Sequence, residues 1–339
     1  MLKNKTTLIL ISILAILLVV LVCLSVAVIK NVLAPDIEYI ELPISENMPL
    51  SQAKEKLSAL GISYEIKATD SKIANRVEKF EYDGKQENGN ALAKVGTTVT
   101  LYSNEIGVDK VVYLTFDDGP IVNYNDSAMT DIYHTTEDIL NTLDNYGIKA
   151  TFFIVGYQMI KSDRSEYVLD ILDRGHLIGS HTSTHELKDS VGLIYNSLSQ
   201  FVSDVERFED ELKGVIGEER FNSLGKYIRF PGGTSTNGIL SKAEAKEYIQ
   251  KMRAMGYKVY DWTVSTDDAA GNSTINQFIS SMDAGISKAK KSGAPLIILM
   301  HDKYTTSQSL PAIIDHLISK GYYFDTVDNC PEYTSAENQ

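Results

Sequence analysis

Between residues 108 and 328, short apolar runs alternate with longer amphipathic stretches, and this alternation restricts the chain to a small set of folds. The runs 111–116, 150–155, 177–180, 227–230, 258–262, 295–300 and 322–327 have the length and the β-branched or aromatic content of strands. Residues 132–145, 191–212, 243–255, 275–290 and 310–319 carry helical spacing between them. Repeated strand-then-helix units imply parallel strands with the helices outside. Spacing alone does not decide between an open sheet and a barrel, complete or incomplete. In such folds the carboxyl ends of the strands converge, so residues far apart in sequence can share one site.

Chemistry-bearing residues sit where these runs end. Asp117-Asp118-Gly119-Pro120 closes the first run with two adjacent acids. Carboxylates repel one another and cost free energy when desolvated, so such a pair signals a cation or acid–base work. His181 and His185 are four apart and present on one face if the segment turns helically. With one carboxylate they make a His-His-Asp set that leaves a coordination position open, as catalytic zinc sites do. Arg229-Phe230-Pro231-Gly232-Gly233 and Leu299-Met300-His301-Asp302 follow, again at strand ends. A lone His-x-x-x-His is weak; four constellations in this order are strong.

That order resembles the polysaccharide deacetylase family, carbohydrate esterase family four, over roughly residues 109–328. The stretches 147–156 (GIKATFFIVG) and 174–181 (RGHLIGSH) extend the match. The resemblance implies an α/β fold, a distorted (β/α) barrel of about seven parallel strands, and metal-dependent removal of acetyl groups from sugar polymers. It implies Asp118, His181 and His185 as ligands of a divalent metal. Zinc suits that set, and cobalt, nickel or manganese can also occupy it. By the same resemblance Asp117 is the general base, kept ionised by the metal and by Arg229, which orients it. Pro231 and Gly232 form the turn whose backbone N–H completes an oxyanion site, His301 is the general acid, and Leu299 walls the acetyl-methyl pocket. Two positions depart from the family pattern. Gly232 stands where an aromatic residue is common, and Asp268-Ala269 stands where an Asp-Trp pair is usual. Asp268 aligns best with the acid that tunes the catalytic histidine, with Asp267 as the second candidate. Trp262, the chain's only tryptophan, is expected to supply the apolar wall that Ala269 does not. His134, His176 and His316 fall outside the motifs and are expected to be surface or packing residues.

Upstream, residues 6–29 contain no charge and would span roughly 36 Å as a helix, enough to cross a bilayer. Lys3 and Lys5 precede this run and Asp36, Glu38 and Glu41 follow, which places everything beyond it outside the cytoplasm. The expectation is a short cytoplasmic start (1–5) and a single-pass anchor (6–29), with secretion after cleavage near Ser25-Val26-Ala27 as the alternative. Lipid modification of Cys23 is disfavoured by the bulky Val22 before it. Cys330 is the only cysteine beyond the run, so the exported part has no internal disulfide.

Residues 36–105 form a separate small α+β module. Leu50, Ala53, Leu57 and Leu60 mark a helix ending at Gly61, and 62–66 and 98–102 alternate as strands. The helix, the strand and the closing Val95-Gly96-Thr97-Thr98-Val99-Thr100-Leu101 resemble a PASTA module, although the middle departs from that family. A spacer lifting the catalytic domain (108–329) off the membrane and a peptidoglycan-binding module are both open. The net charge of −13 argues against nucleic acid as a partner. Together these features point to a membrane-anchored, extracytoplasmic deacetylase of peptidoglycan N-acetylglucosamine. Muramic acid residues, another N- or O-acetylated polysaccharide, and non-catalytic binding of wall glycan are the alternatives. Oligomeric state is not legible.

Overall fold

A computed structural model describes residues 17–22, 37–87, 89–121, 123–124, 132–161, 164–185, 194–235, 240–270 and 274–338. Of the apolar run 6–29 only 17–22 fall within these residues, where they are helical; the rest lies outside them. Among the described residues no helix is long and apolar enough to cross a membrane.

The chain divides into two compact units. The smaller comprises Met1–Ile44, Ala53–Glu65 and Phe80–Leu101. In it Tyr39–Glu41 and Gly84–Glu87 both pair antiparallel with Asn90–Lys94, and Ala53, Leu57, Ala93, Val99 and Leu101 are buried. The helix Leu50–Ala59 and the strands Ser63–Lys67 and Thr98–Tyr102 lie close to their expected positions. The larger unit holds Ser45–Gln52, Ile66–Lys79 and Tyr102–Gln339.

The larger unit is an α/β half-barrel. Its parallel strands are β1 (Val111–Asp117), β2 (Thr151–Ile154), β3 (Leu177–Ser180), β4 (Tyr227–Ile228), β5 (Lys258–Val259), β6 (Val264–Ser265), β7 (Leu296–His301) and β8 (Tyr323–Asp325). Seven follow one path, β5-β4-β3-β2-β1-β7-β6, and β8 pairs with the first half of β1 while β2 pairs with its second half. The expected α/β barrel is therefore present, and it stays unclosed between β5 and β6. Among the described parallel strands, the two-residue β6 is missing from the expected set, because it is too short for alternation to register.

Strand alternation sorts the side chains between the two faces of the sheet. Val112, Leu114 and Phe116 of β1 and Leu296, Ile298 and Met300 of β7 join the large outer core with the helices. Val111, Tyr113 and Ile297 join a second cluster inside the curl, with Phe153, Tyr260, Val327 and Ala74. The same alternation turns Thr115, Asp117, Leu299 and His301 inward, above that cluster. Strands buried on both faces read as continuous apolar runs, which is why these were visible in sequence.

The helices follow ordinary start and stop chemistry. α1 spans Thr135–Asn145, α2 Ser165–Asp173 and α3 Leu198–Ile216. α4 (Lys242–Ala254) and α5 (Ile275–Ser292) each begin with a capping box, Ser241 with Glu244 and Thr274 with Gln277. α6 spans Tyr304–Ser319. α3 buries Phe201, Asp204, Val205, Phe208 and Leu212.

At the opposite end of the strands from the inward-facing polar residues, residues 72–77 close the floor of the half-barrel. Ile73 bridges to Phe324 and Ala74 is fully buried in the inner cluster. The buried Arg76 pairs with Asp325 at 2.5 Å and with Asp328, and donates to Asn47 O at 2.7 Å.

Candidate active site

The polar end of the inner face is built around Arg229. Its side chain is completely buried, its guanidinium 4.3 Å from the centroid of the Phe153 ring and 5.9 Å from that of Trp262. Phe153 has room because residue 179 is glycine; a Cβ there would lie 2.5 Å from the ring. Nη1 donates to Thr115 Oγ1 at 2.7 Å and to Asp117 Oδ1 at 2.8 Å. Nε donates to Tyr260 O at 3.1 Å, and Nη2 to Asp261 O at 3.3 Å. A charge fixed on so many acceptors cannot drift, and it holds the Asp117 carboxylate in one orientation.

Beside this pair, Asp118, His181 and His185 bring one ligand atom each to within 4.8 Å of one another. Asp118 Oδ1 lies 3.6 Å from His181 Nε2 and 3.3 Å from His185 Nε2. The segment reaches this arrangement without a helical turn. Thr182 and His185 take φ of 66° and 56°, and Asp118 one of 73°. The turn is held by Asp204 of α3, whose Oδ2 accepts the backbone N–H of Ser183 at 2.8 Å and of Thr184 at 3.0 Å.

These donors fit a divalent cation. Asp118 Oδ1 is buried with no hydrogen-bond partner. His181 Nδ1 lies 2.8 Å from Arg229 O, a group that only accepts, so Nδ1 carries the proton and Nε2 presents its lone pair. Burial, and then the charge of His185, lower the His181 pKa to about 3, so the ring stays neutral, the form a metal requires. An unsatisfied carboxylate oxygen facing two imidazole nitrogens is costly unless the three share a cation.

Asp117 Oδ2, the oxygen Arg229 does not hold, lies 3.7 Å from His181 Nε2. Burial raises the Asp117 pKa, and Arg229 and His301 oppose this without cancelling it.

His301 faces the same space, in register with Asp117 across β7 and β1. Its Nδ1 meets Asp268 Oδ1 at 2.8 Å, and its backbone N–H donates to Asp268 Oδ2 at 2.7 Å. Thr306 Oγ1 also donates to Asp268 Oδ2, at 2.8 Å. Asp268 and not Asp267 therefore touches the histidine. Burial lowers the His301 pKa, but the Asp268 hydrogen bond and the charges of Asp117, Asp268 and Asp118 bring it above the ordinary value. His301 Nε2 is left as the ring atom to exchange a proton.

These groups line one open groove of about 860 Å³, with Gly232, Gly233, Trp262, Ala269 and Leu299 in its walls. Pro231 is buried instead, its carbonyl accepting Tyr195 Oη at 2.9 Å. The remaining histidines take structural partners: His134 with Tyr167, His176 with the Ala150 N–H, His316 with Asp283.

Residues 105–260 match the family model for polysaccharide deacetylase. Over these residues the chain is similar to the polysaccharide deacetylase family. With the candidate metal site of Asp118, His181 and His185, this makes it a deacetylase, a hydrolase acting on amide bonds. The deacetylase is 28% identical over 253 residues to a peptidoglycan-N-acetylglucosamine deacetylase of Bacillus cereus, covering 71% of this chain and 80% of that one. It is 27% identical to the Bacillus subtilis protein YheN over 65% of this chain and 68% of that protein. Its fold matches the catalytic domain of the peptidoglycan N-acetylglucosamine deacetylase of Eubacterium rectale with a TM-score of 0.51 and 26% identity, covering 67% and 90% of the two chains. Asp268 and His301 lie beyond residue 260, and it is the parallel register of β7 on β1 that brings His301 to the site.

Several site residues escaped the sequence reading. Thr115 was findable, since alternation places it on the inner face with Asp117. Asp204 also left a trace, as an acid on the same helical face as Phe201, Val205 and Phe208. Asp302, fully buried with a pKa raised to about 7 by desolvation, accepts Thr136 Oγ1 at 2.6 Å and packs against Gly119. Tyr333 and Ser335 line the groove although they lie beyond the expected end of the domain at 329, in a segment with no strand or helix pattern.

Proposed function

We propose that this deacetylase hydrolyses the N-acetyl group of N-acetylglucosamine residues in peptidoglycan, releasing acetate and leaving a free amine on the sugar. One observation carries the reading. A buried Asp117–Arg229 pair and a His301–Asp268 pair share one groove with the Asp118, His181 and His185 donors.

When bound there, a divalent cation supplies Lewis acidity to the amide and makes a water easier to deprotonate; zinc suits the donor set. Asp117 receives the proton of the attacking water at Oδ2, the oxygen Arg229 leaves free. Gly233 N–H is used by Phe230 O and Thr234 N–H by Asp261, so among the described residues the exposed Gly232 N–H is the donor of this turn left for the carbonyl oxygen. As the C–N bond breaks, His301 gives its Nε2 proton to the departing nitrogen, with Asp268 holding the ring. Leu299 and Trp262 wall the space beside the acetyl group and the sugar.

The substrate is favoured by the relatives named above. The apolar run 6–29 favours a single-pass anchor with catalysis outside the cytoplasm. The helix and strands of the small unit favour a PASTA-like module. The test is acetate release from purified peptidoglycan by the metal-loaded protein, with mass spectrometry of the muropeptides. Acetate loss from glucosamine is expected, and none from Asp117→Asn or His181→Ala. Acetate loss from muramic acid alone would overturn the substrate assignment, and equal activity in all three proteins would overturn the mechanism.

A further inference from the structure

The unclosed side of the half-barrel is occupied. Beyond β5, Tyr260 forms a parallel bridge with Tyr333, and Asp261 N–H donates to Tyr333 O at 2.8 Å. Glu332 Oε1 accepts the Val259 N–H at 2.8 Å, and Arg253 pairs with Glu332 at 3.3 Å and with Glu337 at 2.9 Å. Residues 332–337 thus run along β5 on the side away from β4.

This segment also reaches the site. Asp261 is buried and accepts from two separate parts of the chain. Oδ1 takes the Thr234 N–H at 2.9 Å, Oδ2 takes the Ser335 N–H at 2.6 Å, and the Thr234 hydroxyl donates to Oδ2 as well. That hydroxyl accepts the Ala336 N–H at 3.1 Å. The turn 231–234 is therefore held on one side by Tyr195 and on the other by a knot of Asp261, Thr234 and residues 335–336. Buried polar groups satisfied this completely specify one backbone geometry, because any displacement leaves a donor or acceptor unpaired.

We propose that Asp261, Thr234 and the 332–336 segment are positioning elements of the active site, fixing the turn that presents the Gly232 N–H. The inference rests on the oxyanion role given to that turn above. An interaction that acts only as charge develops on the carbonyl oxygen changes kcat and leaves KM nearly unmoved.

The experiment compares Thr234→Val, Thr234→Ser and Asp261→Asn in the full chain, each checked for metal content and thermal midpoint. Thr234→Val and Asp261→Asn are expected to lower kcat for acetate release by about tenfold or more, with KM within about threefold. Thr234→Ser retains the hydroxyl and is expected to stay within about threefold of the unmodified protein. Hydrogen exchange across residues 229–235 supplies a readout independent of turnover. It should quicken by about tenfold in Thr234→Val and return to normal in Thr234→Ser. Normal exchange and normal kcat in folded Thr234→Val and Asp261→Asn would overturn the proposal. So would a Thr234→Ser protein as impaired as the valine variant. If the unmodified protein releases no acetate while exchange responds as expected, the proposed reaction fails and the positioning role stands.

Discussion

Replacing Asp268 by asparagine isolates what this acid does for His301. The carboxylate holds the ring by an Nδ1 contact of 2.8 Å and the backbone of the same residue by one of 2.7 Å. A hydrogen bond to a charged group contributes about 1.5–3 kcal/mol, and one pKa unit corresponds to about 1.4 kcal/mol. Losing the charge should therefore lower the His301 pKa, since the Asp268 hydrogen bond and charge are among the causes that raise it. A general acid must be protonated, so the fall of kcat/KM on the alkaline side should move to lower pH by the same amount. At a pH above both values, the protonated fraction and the rate drop by about ten- to a hundredfold. The sign for stability follows from the same shift. A histidine raised on folding stabilises the folded state below its unfolded pKa and loses that contribution as pH rises through the folded one. Asp268 is held below the usual carboxylate range, because the contacts with His301 outweigh the upward push of burial, so its share is lost as pH falls through that lowered value. Stopped acetate assays across pH, with urea denaturation at each pH, read both effects. An unmoved alkaline limb beneath a lowered plateau would refute the reasoning.

Arg229→Met leaves Asp117 buried without its cation and should destabilise the protein by about 3–5 kcal/mol in thermal or urea unfolding; a loss under about 1 kcal/mol would contradict the burial argument. In any folded fraction the Asp117 pKa rises further, so the acidic limb of the rate profile moves to higher pH. Chelation should abolish acetate release and zinc should restore it, and metal at about a hundredfold its Kd should add about 2.7 kcal/mol of stability in the unmodified protein but not in Asp118→Asn, as calorimetry would show. Asp204→Asn loosens the backbone between the two histidines and should weaken metal affinity by about 10–100-fold by titration calorimetry, with kcat at saturating metal largely kept.

The sequence made visible what depends on short-range pattern and on residue type. Doubly buried strands are long apolar runs, and acids or imidazoles at their ends stand out against them. Asp268 was separable from Asp267 only by alignment to a family pattern, and the structure gives the physical reason: Asp267 takes a φ of 57° while Asp268 turns in toward the histidine. The path between His181 and His185 was not legible, because left-handed φ values at Thr182 and His185 leave no mark in residue identity. Nor were the partners of Asp261, since a segment without periodicity gives no hint of which surface it will cover.

Ala74 and Arg76 precede the first catalytic strand by more than thirty residues, yet they floor the half-barrel and neutralise Asp325. The catalytic unit and the smaller unit are therefore interleaved along the chain, each made of pieces separated by pieces of the other. A fragment cut to begin with the first catalytic strand would lose a side chain from its base and strand an acid in a dry interior. Engineers who wish to transplant this enzyme must carry the upstream region with it, as one inheritable block.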